Sequence, residues 1–331
     1  MIKLYQFVYW LRAIAAVMIT NSHYADIWPI SAMAFGGHFG NCIYFFLSGF
    51  CLYKIKDSFP KWYLKRIIRV YPAVWIASLI NILPTFTRDD GIMAYVHCFL
   101  YPTRYHFVGS IMLLYILFYV YRQIQTKIKF NALWVVLALF AAYILVYIFA
   151  FDKSYYHIDD VNEKWCRFMF AASMLLGSYA REKYDSISEK IKPLNIIVFI
   201  LFTAFYFAGK FILRGVPSAS KFQFLMPIIV VIYIFNIAII FIKLEKKVLF
   251  AKAGRIISRP VKFISDISFE IYLVQFAVIS RFSSLVFPLN FAVTTLIIIV
   301  YAFAAHKLAE LIQKLIFKIL VFTNKKKEAL K

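Results

Sequence analysis

Acidic residues are scarce in this chain of 331: 16 Asp and Glu stand against 38 Lys and Arg, a formal net charge of +22. Charge of either sign is sparse, at 16% of residues, whereas 63% are hydrophobic and the mean hydropathy is +0.74. That composition excludes a water-soluble domain, because so apolar a surface aggregates. Cysteine is limited to Cys42, Cys51, Cys98 and Cys166, with no C-x-x-C pair. No disulfide framework or cysteine metal site follows, and the four read as small apolar filler. Glycine and proline number 10 each. No Gly- or Ser-rich linker divides the chain, so a single integral-membrane domain is expected over 1–331. The start resembles a signal peptide, with Lys3 before an apolar run. The many later apolar segments, and the lack of a small-residue cleavage site, make it an uncleaved first helix.

What the chain has in quantity is apolar segments of spanning length, near 5–24, 39–54, 70–87, 106–122, 131–151, 165–180, 194–210, 222–242, 264–286 and 291–312. The expected fold is all-α, a polytopic membrane bundle of about ten transmembrane helices over 1–313, followed by a basic tail over 314–331. With a cytoplasmic N-terminus, the inside loops are 54–69, 122–129, 181–192 and 243–262. These loops and the tail hold most of the Lys and Arg, whereas the outside stretch 152–164 carries Asp159, Asp160 and Glu163. The positive-inside rule then places both termini in the cytoplasm, and a multi-pass protein of the plasma membrane is expected. The same distribution explains the net charge without a nucleic-acid partner. No internal repeat is evident, which argues against an inverted-repeat transporter.

The first apolar segment carries two residues that hydrocarbon tolerates poorly, Arg12 and His23. Eleven residues apart, they are separated by about 16 Å along a helix and by about 20° in azimuth, so they share a face. An ionisable side chain inside a span costs at least about 2.5 kcal/mol and so faces protein or water. A neutral imidazole there can take a proton from an alcohol, and a permanently charged guanidinium suits a phosphate or carboxylate. The plainer readings are an interfacial histidine bonded to a neighbour, and an Arg12 paired with a buried carboxylate such as Glu310. Asp26 is a candidate orienter of the imidazole. No metal is expected, since His38, His97, His106 and His157 lack ligand spacing.

In the loop 54–69 the basic run is what the positive-inside rule alone gives, but Arg66 and Arg69, three apart at a helix start, can chelate phosphate oxygens. Upstream, Ser48-Gly49 is a small step in an aromatic helix, either a packing notch or a passage for a slender ligand. Ser265, Ser268, Tyr272 and Gln275 form a polar stripe on one later helix, lining a cavity or bonding to neighbouring helices. His306 and Glu310, at i and i+4, read as a helix-end pair.

Taken together, Leu11-Arg12-Ala13-Ile14-Ala15-Ala16 leading to Ser22-His23-Tyr24, then Phe46-Leu47-Ser48-Gly49-Phe50, then Arg66-Ile67-Ile68-Arg69-Val70-Tyr71-Pro72-Ala73-Val74-Trp75, resemble acyltransferase family 3 in order and spacing. These are bacterial multi-spanning O-acyltransferases of cell-surface glycans. The resemblance implies that Arg12 and His23 are the functional pair, with Arg66 and Arg69 handling acyl-CoA. Ser48 and Tyr71 are candidates at the same donor site. Ile267-Ser268-Phe269-Glu270-Ile271-Tyr272-Leu273-Val274-Gln275 resembles the family's late S-Y-x-I-Y-L-x-H segment, with Gln275 where the family has a histidine. Glu310 resembles a glutamate near the end of the family's last helix. The expected reaction moves an acyl group, acetyl above all, from cytoplasmic acyl-CoA to a sugar hydroxyl of a glycan. Short loops outside favour a lipid-linked sugar or nascent polymer as acceptor, and the apolar surface permits a homodimer. The rival reading is a glycan or lipid-linked sugar flippase.

Overall fold

A computed structural model describes residues 5–329 apart from 86, 88–90, 103–104, 159, 161–163 and 247–258, with side chains as far as 320. Lys3, Asp159, Glu163 and the centre of the basic loop 243–262 lie outside the described residues, as do the side chains of the tail beyond 320. The longer helices are α1 (Gln6–Ser22), α2 (Gly37–Cys51), α3 (Phe59–Ala77), α4 (His106–Ile128), α5 (Ala132–Ala150), α6 (Cys166–Glu182), α7 (Pro193–Gly215), α8 (Leu225–Glu245), α9 (Ser268–Phe282) and α10 (Leu289–Ala329). No strand occurs among the described residues.

Every segment expected to span is helical. Among the described residues six stretches combine the length and apolarity to cross a membrane: Phe59–Thr85, His106–Ile128, Ala132–Ala150, Pro193–Gly215, Leu225–Glu245 and Leu289–Leu320. A pair bent by 68°, Arg259–Asp266 with Ser268–Phe282, makes a seventh if it is one span. The helices α1, α2 and α6 have 17, 15 and 17 residues, short of the roughly 20 that a bilayer core asks for.

Two boundaries differ from the sequence reading. The third helix begins at Phe59, not near 70, because Pro60 occupies its first turn, where a fixed φ and a missing N–H cost nothing. Arg66 and Arg69 therefore lie well inside α3 and not at its start. The last helix runs on to Ala329, so the segment read as a basic tail continues it. Lys and Arg lower hydropathy but are good helix formers, and nothing between 313 and 329 breaks the helix.

The chain divides into two compact units: Met1–Ile19, Gly36–Ile55 and Ile116–Ser265 in the first, Thr20–Phe35, Lys56–Tyr115 and Asp266–Lys331 in the second. In the first unit α2 packs along α6, and both touch α8; α5 packs on α6 and α7 on α8. The α2–α6 seam is closed at two glycines: a Cβ on Gly49 would collide with the carbonyl of Met174, and one on Gly177 with the carbonyl of Phe46. Gly49 is thus a packing notch, filled by backbone, and leaves no passage there. Phe45 stacks on Phe170 beside it, ring centroids 4.5 Å apart. Gly36, at φ 112°, turns the chain into α2 against Met18, a conformation and a space that only glycine fits. Amides join α7 to α8: Asn195 Nδ2 donates to Asn236 Oδ1 and Asn236 Nδ2 to the Asn195 carbonyl, both at 2.9 Å, and Lys243 Nζ donates to Asn195 Oδ1 at 2.8 Å. Such interhelical bonds hold spans together where apolar burial gives no net drive.

Candidate functional site

The second unit gathers most of the candidate residues. It is built on α3, α9 and α10, each packed against the other two, together with the chain that leaves α1. That chain is tied down at every turn. Trp28 Nε1 donates to Asn21 Oδ1 at 2.9 Å, while Asn21 Nδ2 donates to the carbonyls of Met33 (2.8 Å) and Phe35 (3.0 Å). Asn290 Nδ2, buried at the start of α10, donates to the Ile27 carbonyl at 2.9 Å, and Tyr24 Oη lies 3.0 Å from Thr295 Oγ1.

His23 is the first residue past α1, its N–H bonded to the Thr20 carbonyl at 3.0 Å. Its half-buried imidazole packs on the ring of Phe276, centroids 4.3 Å apart. One helical turn earlier, Thr20 Oγ1 donates to Gln275 Oε1 at 2.8 Å. The neighbours Gln275 and Phe276 on α9 therefore fix Thr20 and His23 at the end of α1. Gln275 acts here as an interhelical acceptor; its Nε2 is buried without a partner. Tyr272, one turn back on α9, accepts from the Phe107 N–H at 3.2 Å. That N–H is among the four that the start of α4 leaves unpaired. Of the polar stripe, Tyr272 and Gln275 thus bond between helices. Tyr272→Phe is expected to strand that buried donor and cost about 1–3 kcal/mol, read as a lower thermal midpoint of the purified protein; an unchanged midpoint would show that the bond carries nothing.

An open pocket of about 340 Å³ adjoins this arrangement, lined by Asn81, Ile82, Tyr105, Leu273, Phe276 and Ala277. Phe276 presents one side of its ring to His23 and also forms part of the pocket wall. None of the lining residues Asn81, Tyr105 and Phe276 was marked by sequence spacing, since each is a lone side chain in an apolar segment.

The remaining candidates are distributed as follows. Arg12 sits two turns into α1, half-buried, and belongs to the first unit, as does half-buried Ser48 on α2. Asp26 is exposed. On α3, Arg66 is half-buried, its guanidinium 5.5 Å over the Trp62 ring, with Nε buried and unpartnered. Arg69 is exposed, and only its backbone carbonyl is engaged, by Gln313 Nε2 at 3.2 Å. Tyr71 donates its hydroxyl to the Leu100 carbonyl at 2.8 Å, so its one proton is committed to the backbone. Among the described residues, Arg12, Arg66 and Arg69 make no ion pair.

Glu310 is engaged within the second unit. Its Oε2 takes Lys307 Nζ at 3.1 Å and its Oε1 lies 3.5 Å from His306 Nε2. His306 faces a second carboxylate through its other nitrogen, Nδ1 being 3.1 Å from Glu270 Oε1. Because α10 continues to Ala329, this is a mid-helix cluster, buried at His306 and Glu270, and not a helix-end pair. Glu270 escaped the sequence reading because its partner lies 36 residues away and only the packing of α9 on α10 joins them. The basic run that opens α3 also has an acid: Asp57, just ahead of the helix, takes Lys65 Nζ at 2.6 Å and Lys61 Nζ at 3.4 Å. The Lys65 hydrogen bond holds the Asp57 carboxyl below its usual value. What this pairing adds to stability is therefore present at neutral pH and lost only as acid titrates the carboxylate.

A family model described as an acyltransferase domain, Acyl_transf_3, matches residues 5–305. No curated protein and no solved structure matches the chain.

Proposed function

The chain belongs to the acyltransferase 3 family, and from that premise we propose that it transfers an acyl group, acetyl above all, from cytoplasmic acyl-CoA to a sugar hydroxyl of a lipid-linked or surface glycan. It is an acyltransferase and a multi-pass membrane protein. That both termini lie inside rests on the Lys and Arg distribution, and the location in a bacterial plasma membrane on the family resemblance.

In this reading His23 takes the proton from the acceptor hydroxyl as its oxygen attacks the thioester carbonyl. The C–S bond breaks, and the imidazolium returns the proton to the departing CoA thiolate, so no charge accumulates. Arg66 and Arg69, one turn apart on α3, hold the anionic donor. The observation that carries the reading is Arg66, half-buried on α3 with its Nε unpartnered, one turn from Arg69 and in no ion pair among the described residues. Asp57 acts on Arg66 at longer range and is itself engaged by Lys61 and Lys65, so an anionic substrate can supply the closer counter-charge. A flippase is not favoured, because the family is one of acyltransferases.

The direct test is the mass of the surface glycan from cells with and without the protein: a difference of one acyl unit is expected, and identical masses would sink the proposal. For the donor site, Arg66→Ala and Arg69→Ala are each expected to raise the acyl-CoA KM roughly tenfold or more, as loss of a hydrogen bond to a charged group does. An effect confined to acceptor saturation would remove both from the donor site.

A further inference from the structure

We propose that the pocket lined by Asn81, Tyr105 and Phe276 is the subsite for the acceptor's sugar ring, an assignment that rests on the glycan-acylation reading above. Its size, about 340 Å³, falls at the small end of the roughly 300–1,000 Å³ of ligand sites. It suits one small ligand unit better than a coenzyme.

The lining decides the chemistry. Asn81, Ile82, Tyr105, Leu273, Phe276 and Ala277 include no charged side chain, so nothing in the wall answers a phosphate or carboxylate. One polar group there is nonetheless unsatisfied. Asn81 spends its Oδ1 on the Tyr301 hydroxyl, at 2.8 Å, and its buried Nδ2 has no partner. Tyr105, 6% exposed, stands in the same wall with its hydroxyl beside Ser78. A buried donor left unpaired is costly, so the amide calls for a ligand bearing an oxygen acceptor. An acyl chain would bury it without compensation. A sugar ring offers hydroxyls to it and an aliphatic face to the aromatic ring of Phe276, which is 49% exposed.

Position supports the same assignment. Phe276 is shared between the pocket wall and the packing surface of His23, so a ring seated on it lies beside the imidazole that is to deprotonate one of its hydroxyls. Tyr105 and Asn81 would then choose which hydroxyl is presented, acting as specificity residues.

The test uses the full-length protein in detergent with acetyl-CoA and, as acceptor, lipid-linked glycan extracted from cells lacking the protein. Tyr105→Phe and Asn81→Leu are each expected to raise the acceptor KM roughly three- to tenfold, leaving the acetyl-CoA KM within twofold. Ala277→Trp, which fills the pocket with little disturbance of its polar groups, is expected to abolish acceptor saturation and provides a second route should Tyr105→Phe fail to accumulate. A shift in the acetyl-CoA KM alone would make the pocket a donor site, and unchanged constants for both substrates would make it incidental; either overturns the proposal. Wild-type protein that transfers no acyl group to the extracted glycan would instead overturn the underlying reading, and the subsite with it.

Discussion

His23→Ala is expected to abolish acyl transfer while the protein still accumulates in the membrane. Removing a general base costs typically 10²–10⁴-fold, which in a glycan assay reads as loss of the modification. The fold should survive, because the imidazole contributes one ring contact to Phe276. The end of α1 is held by other groups, Thr20 on Gln275, Asn21 on Met33 and Phe35, and Asn290 on Ile27. His23→Gln keeps polarity and much of the volume but cannot serve as a base at neutral pH, and the same loss is expected. Thr20→Val provides the contrast: it breaks the tether to Gln275 and should reduce the rate by disturbing the position of His23, with part of the activity kept. Glycan acylation, normalised to protein abundance, measures all three. Full acylation by His23→Gln would remove His23 from the chemistry.

Gly177→Val and Gly49→Val are expected to eliminate the protein from the membrane or lower its thermal midpoint severely. At each position the first atom met is a backbone carbonyl of the facing helix, Phe46 or Met174. A flexible side chain can swing aside, but a helix backbone moves only by separating α2 from α6 along the whole seam. Overpacking costs typically 1–3 kcal/mol, and these two sites are expected at the top of that range or beyond. Gly215→Ala is the matched control, since a Cβ there meets nothing within 4 Å and should be neutral or slightly stabilising. Normal abundance and midpoint for Gly177→Val would show that the seam is looser than its geometry.

The helical segments were legible because spanning length and apolarity are written in composition. The errors fell where charge and helix propensity part company. Lys61, Lys65, Arg66 and Arg69 pushed the expected start of α3 towards 70, although Pro60 marked the true start. The basic residues after Lys314 suggested a tail where the helix continues. Of the candidate site, the Arg12–His23 spacing and the Arg66–Arg69 pair stood out as charges in apolar surroundings. Asn81, Tyr105 and Phe276 did not: one amide, one phenol and one phenyl among many carry no periodicity. They acquire meaning only when α9 meets the distal end of α3 and the start of α4. Glu270 was hidden in the same way, its role set by His306 across a helix pair.

Among the described residues neither Arg66 nor Arg69 forms an ion pair, and the two stand one turn apart on α3. Like charges three apart on a helix repel, and any anion that bridges them relieves that repulsion. Coenzyme binding should therefore raise the melting temperature, by linkage, as the donor exceeds its dissociation constant. Added salt, which screens both repulsion and attraction over about 10 Å at 0.1 M, should stabilise the empty form and weaken the coenzyme's grip together.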